Sequence, residues 1–291
     1  MNRMNQNYAL IKEEPIEELD GTGCLLRHKK TGARVVVISN KDDNKVFQIG
    51  FKTPPKDDTG VPHILEHSVL CGSREFPMKD PFVELVKGSL NTFLNAMTYP
   101  DKTVYPVASQ NDKDFFNLVH VYLDAVFYPN IYQKPEILKQ EGWHYDLEST
   151  DAPIHYNGVV FNEMKGVFSS PDQQLARIIQ KSLLPDTPYG FESGGDPAAV
   201  PDLTYEGFLD FHRTYYHPSN SYIYIYGDMD PDEYLEFIHE HYLKDFDEKT
   251  VDSSWNMQAP FEEPKRIEEY YPVGENDAEE EKTYFAYNAV I

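Results

Sequence analysis

Apolar and polar positions alternate with a period near two over residues 33–39, rich in Val35, Val36, Val37 and Ile38, and again over 45–51. Both stretches predict strands, with Asn40 to Asn44 as the turn between them. The run from Pro54 to Gly60 is a loop dense in breakers. From Pro62 the spacing turns helical, through Leu70 or Cys71 to a stop at Gly72. A second helix fits 81–88, opened by Asp80-Pro81, and strand-like runs follow at 91–98 and 103–108, with Tyr99 to Lys102 as a turn. Over 111–126 the period is again helical. Asn111 can cap that helix, and Phe115, Val119, Tyr122, Leu123 and Val126 share a stripe.

Further on, the pattern predicts a strand near 154–161, helices near 163–184, a Gly/Pro loop at 185–201 and a helix near 204–216. The alternation at Ser221 to Tyr226 predicts a strand, and 231–242 a helix. Strands and helices in this order imply an α+β fold, with a mostly antiparallel sheet and helices packed on one face. Past residue 245 the periodicity fades. We expect a domain over 1–246, a linker over 247–264, and the start of a second, truncated domain over 265–291, opening on a β-type run at 282–291. A strand without a partner suggests a chain completed by a missing half or a second subunit.

Composition narrows the classes. A formal net charge of −23 repels phosphate backbones and argues against nucleic acid as a partner. No apolar run is long enough to predict a membrane helix. Two cysteines are too few for a disulfide framework, and the N-terminal residues have no apolar signal core. Together these lead us to expect a cytoplasmic protein.

The candidate chemistry lies in His63-Ile64-Leu65-Glu66-His67. Residues four apart share a helix face, so two imidazoles can reach one Zn²⁺ at about 2.0–2.1 Å. Glu66 sits beside them as a base for water. This HxxEH order is the inverse of the HExxH zinc motif. The same pattern also suits a polar helix face with two solvated histidines. A catalytic zinc needs a third protein ligand. Glu75, Glu84, Glu136, Glu141, Glu148 and Glu163 are all available, and spacing selects none of them. Glu163 at the start of a helix equally suits a dipole-stabilising acid. Cys71 suits a small packed side chain better than a soft ligand, and His239 and His241 suit a helix C-terminus.

His63-xx-Glu66-His67, Leu70-Cys71-Gly72-Ser73, Phe93 to Thr103 and Asn162-Glu163-Met164-Lys165-Gly166 together resemble the insulinase/pitrilysin family of inverzincins, on its presequence-protease branch. The resemblance runs from about residue 20 to 245 and implies the insulinase-like, mitochondrial-processing-peptidase-like α+β domain. It further implies His63, His67 and Glu163 as zinc ligands and Glu66 as general base. A strand edge at Asn95 and Ala96 would pair with the peptide backbone. Members of this branch are clam-shell enzymes several times longer, in which a second half completes the substrate chamber. The expected function is zinc-dependent hydrolysis of unstructured peptides. The alternative is a non-catalytic peptide-binding or scaffold subunit.

Overall fold

The computed structural model describes residues 5–79, 81–271, 273–274 and 280–290. In chain order, β1 (Tyr8–Ile16), β2 (Gly21–His28), β3 (Arg34–Ser39) and β4 (Lys45–Lys52) lead into α1 (Val61–Val69) and α2 (Pro81–Gly88). Then come β5 (Asn91–Leu94), β6 (Met97–Thr98), β7 (Lys102–Ser109), α3 (Asp112–Phe127) and α4 (Glu136–Glu141). A hairpin of β8 (His144–Asp146) and β9 (His155–Asn157) precedes α5 (Val159–Phe168), α6 (Pro171–Leu183), α7 (Tyr205–Tyr215), β10 (Ser221–Gly227) and α8 (Pro231–His241).

The main sheet runs β1-β2-β3-β10-β4-β7-β5, with β6 also on β7. Its pairings are antiparallel except β3 with β10. Register explains why the sheet holds together. Leu26, Val35, Ile223, Ile49 and Tyr105 line up as one cross-strand row, and Cys24, Val37, Ile225, Phe47 and Val107 as the next. All ten are buried against the helices. Their neighbours Leu25 and Tyr222 point to the open face and are exposed. Period-two alternation thus sets one wet and one dry face, as an antiparallel sheet allows.

Helix α3 lies on that dry face, against β7 and β4. The Asn111 side chain accepts from the Asp114 N–H at 3.0 Å, and Phe115, Leu118, Val119, Tyr122, Leu123 and Val126 are fully buried. The cap satisfies an otherwise orphaned donor. Each fully buried large apolar side chain contributes about 1.5–3 kcal/mol.

Three expectations need correction. The strand near 154–161 is only His155–Asn157, because Val159 already opens α5. Val160, Phe161 and Met164 are buried at helical spacing there, and that burial overrides the strand preference of Val159-Val160-Phe161. Glu163 is therefore the fifth residue of α5, beyond the first turn where the helix dipole favours an acid. The predicted β-type run 282–291 takes no strand over 282–290, and Ile291 lies outside the described residues. Phe285 and Tyr287 there are about nine-tenths exposed. Asp80, expected to open α2, also lies outside the described residues.

Residues 247–264 hold no helix or strand, yet part of the stretch is docked. Lys249 N–H donates to Ser219 Oγ, Ser253 Oγ donates to Asn220 Oδ1, and Gln258 pairs with Asp186. Among the described residues no helix is long and apolar enough to cross a membrane.

Candidate metal centre

Helix α1 is buried nearly all round and packs against α4, α7 and β6. Ile64, Leu65 and Val69 fill the core, while His63 and Glu66 are less than a tenth exposed. Polar groups are costly at such depth unless partnered, so each polar side chain of this helix needs an account.

Gly60 sets where the helix begins. Its φ of 71° is left-handed, and a Cβ there would stand 2.5 Å from Gly195 Cα. Only glycine lets the loop at 192–196 come so close. That approach places the Gly194 carbonyl 3.0 Å from His63 Nδ1. A carbonyl only accepts, so Nδ1 carries the proton and Nε2 keeps its lone pair. One turn on, His67 Nδ1 lies 3.4 Å from Glu141 Oε2 on α4. That carboxylate likewise leaves the lone pair on Nε2. The two rings stand edge to face, 4.9 Å between centroids.

Both Nε2 atoms face Glu163 of α5, whose Oε2 is 3.8 Å from each. One donor atom from each of His63, His67 and Glu163 lies within 4.8 Å of the others. Ligands about 2.0–2.2 Å from an ion are roughly 3.3–3.6 Å apart, so the group would have to close to seat a zinc ion. The donor chemistry fits as well: two neutral imidazoles and a carboxylate, each histidine held by an acceptor behind it. Burial lowers the His67 pKa, but the Glu141 hydrogen bond and the charges of Glu66, Glu141 and Glu163 outweigh it and raise the ring above its ordinary value. For Glu141 burial pulls upward, and the His67, Gln140 and Cys71 contacts bring it below the carboxylate norm. Such an acidic cluster favours a positive charge at its centre.

Glu66 stands outside the donor group, beside buried tyrosines. Burial first, and the Glu66 charge among smaller causes, pushes the Tyr105, Tyr122 and Tyr216 hydroxyls upward, so they stay protonated. Tyr105 and Tyr216 hydrogen-bond to each other at 2.8 Å.

Of the other acids considered as third ligand, Glu75 pairs with His120 at 3.1 Å, and Glu141 stands behind His67. Glu84, Glu136 and Glu148 are absent from the donor group. Cys71 points its thiol at Glu141 Oε1, 3.4 Å away, rather than toward the donors. His239 is bonded to His28, and His241 packs on Phe237.

Asn95 and Ala96 depart from the expected continuous edge strand. They form a break between β5 and β6. Asn95 N–H donates inward to the Pro106 carbonyl, and its own carbonyl accepts from Tyr122. Pro106 lacks the N–H that a regular ladder would use there. The backbone role of Gly194 and the tyrosines around Glu66 escaped sequence reasoning. The Gly194-Gly195 pair was the available signal, because adjacent glycines permit such an approach.

Residues 202–290 match a family profile described as the Peptidase M16 inactive domain. This stretch begins after all three donors. The chain is 56% identical over 290 residues to Protein HypA of Clostridium perfringens, covering 100% of this chain and 30% of that protein. It is 56% identical over 269 residues to Presequence protease 1, chloroplastic/mitochondrial, of Arabidopsis thaliana, covering 92% of this chain and 25% of that one. The chain thus spans less than a third of these relatives' length. Among solved structures, pitrilysin shares the fold at a TM-score of 0.63 with 18% identity, over 81% of this chain and 24% of its own. The chain belongs to the insulinase/pitrilysin family, on its presequence-protease branch.

Proposed function

We propose that this chain is a zinc-dependent endopeptidase module acting on unstructured peptides. The observation that carries the reading is the convergence of His63 Nε2, His67 Nε2 and Glu163 Oε2. These three would hold the ion, which when bound supplies Lewis acidity to a carbonyl and to water. Glu66, one residue from His67 and outside the donor group, takes the proton of the attacking water and passes it to the leaving amine. Its buried tyrosine neighbours keep their own protons and leave that task to the carboxylate.

For substrate binding, we place the peptide along the sheet edge at Asn95 and Ala96. The backbone groups of Asn95 are already committed inward, so its part would be to shape the edge. The rest of the longer protein, or a second subunit, would close the chamber. We assign the protein to the cytoplasm because two cysteines, Cys24 and Cys71, are too few for a disulfide framework.

The description of the matched profile as an inactive domain favours a second reading, a peptide-binding scaffold. A carboxylate buried beside two converging imidazoles weighs against it. Glu66→Gln separates the two readings. We expect it to bind zinc like the parent and to lose peptide hydrolysis by about 10²–10⁴-fold. Cleavage at the parental rate would remove Glu66 as the base, and no cleavage by either form in the full-length protein would support the scaffold.

A further inference from the structure

The loop that holds His63 is itself gripped from behind, and this deepens the reading of His63 as a zinc donor, on which it rests. Arg177 of α6 reaches both sides of Gly194. Its Nη2 donates to Asp196 at 2.6 Å, and its Nε lies 3.1 Å from Glu192. The guanidinium also covers the Phe168 ring of α5, 4.0 Å from its centre. A second cation, Lys181, binds Asp58 at 2.6 Å in the loop before α1. Asp58 in turn accepts from the Glu192 N–H through its side chain and from the Asp196 N–H through its carbonyl. The Arg177 contacts fall within two residues of Gly194 or on α5, which carries Glu163, and Asp58 ties the same loop to the segment three residues before α1.

We propose that Arg177, with Asp58 as its counterpart on the α1 side, is a positioning residue that fixes the Gly194 carbonyl and through it the His63 ring. The side chains of Arg177, Glu192 and Asp196 are only 20–23% exposed, so salt screens them less than a surface pair. The geometry is over-determined. A Cβ on Gly194 would meet Met164 Cε at 2.8 Å, and Met164 adjoins Glu163. The carbonyl therefore has little room to turn while the ion pairs hold. Without them the 192–196 loop can relax, and His63 Nδ1 loses the acceptor that commits its proton. The lone pair is then no longer confined to Nε2.

The test compares Arg177→Gln, Arg177→Lys and His63→Ala in the full chain. Zinc affinity is read by competition with a chelating dye, and the His63 tautomer by ring-nitrogen NMR of the metal-free protein. Loss of an outer partner typically weakens a metal about 10–100-fold. We expect about tenfold for Arg177→Gln, recovery to within threefold for Arg177→Lys, and a shift of His63 from the Nδ1–H form to a mixture. A merely structural role would lower the melting temperature and leave the tautomer alone. Unchanged affinity and tautomer in Arg177→Gln, with His63→Ala defective, would overturn the positioning role alone. Parental affinity in His63→Ala would overturn the donor reading and this proposal with it. Should Arg177→Gln fail to fold, Asp196→Asn removes the other end of the bridge under the same criteria.

Discussion

Among the described residues two histidine pairs have ring centres closer than 5.5 Å, and their difference bears on which of them could hold a metal. His63 and His67 have ring centres 4.9 Å apart, and His28 and His239 have theirs 5.2 Å apart. In the second pair the nitrogens satisfy each other. The Thr31 N–H donates to His28 Nδ1, so His28 carries its proton on Nε2 and donates it to His239 Nδ1 at 2.9 Å. No lone pair is left over. In the first pair both Nδ1 atoms are occupied from outside the pair, and both Nε2 lone pairs point at one carboxylate. Proximity of imidazoles is common to both; only the direction of the lone pairs differs.

The sharpest break of this comparison is metal content. His67→Ala should lose zinc and with it hydrolysis, whereas His239→Ala should keep a full equivalent. Elemental analysis of both proteins checks this. Equal zinc in the two would mean that the ion sits elsewhere.

That contrast was half legible in the sequence. The HxxEH spacing sets His63 and His67 on one face because a helix repeats every 3.6 residues, and the turn from Gly60 to Gly72 could be read locally. The third candidate donor could not. Glu163 is 96 residues beyond His67, and what brings it close is the packing of α5 on α4 and of α4 on α1. The same limit hid the sheet order. β10 inserts between β3 and β4, and nothing in its own Tyr/Ile alternation names those neighbours. Helix α5 was misjudged at its start because Val159-Val160-Phe161 suits a strand until burial decides otherwise. Glu141 stood among possible ligands on spacing alone. Only geometry separates Glu163, inside the candidate donor group, from Glu141, which stands behind His67.

Acid should widen the difference. Burial first, with the His239 and Lys30 charges, lowers His28 to about 4, and burial lowers His212 likewise to about 4. The unfolded chain takes these protons near pH 6.5 while the folded chain refuses them. Folding stability is therefore full above pH 6.5 and falls as pH drops toward 4. For His212, held between the Val126 carbonyl and the Tyr132 hydroxyl, the loss is about 3 kcal/mol. His67 moves the opposite way, since its pKa is raised, and competes a metal off as protons bind. Zinc release should precede unfolding on acidification, measured by metal release and circular dichroism in one titration. Coincident transitions would refute the distinction.

The smallest expected effects come from removing what stands behind each pair. Glu141→Gln keeps the shape and withdraws the charged acceptor at His67 Nδ1. It should weaken zinc about 10–100-fold and leave the fold intact. Thr31→Val is the matching change behind His28. It removes a hydroxyl 2.8 Å from Nδ1 and retains the backbone N–H that donates to the same atom. The hydroxyl's bonds to His28 Nδ1 and from the Ala33 N–H are both lost, so we expect about 2 kcal/mol from unfolding stability and no change in zinc affinity. Chemical denaturation and zinc competition on both variants decide it. If Thr31→Val altered metal binding as Glu141→Gln does, the two pairs would be coupled, and the direction of their lone pairs would not be what separates them.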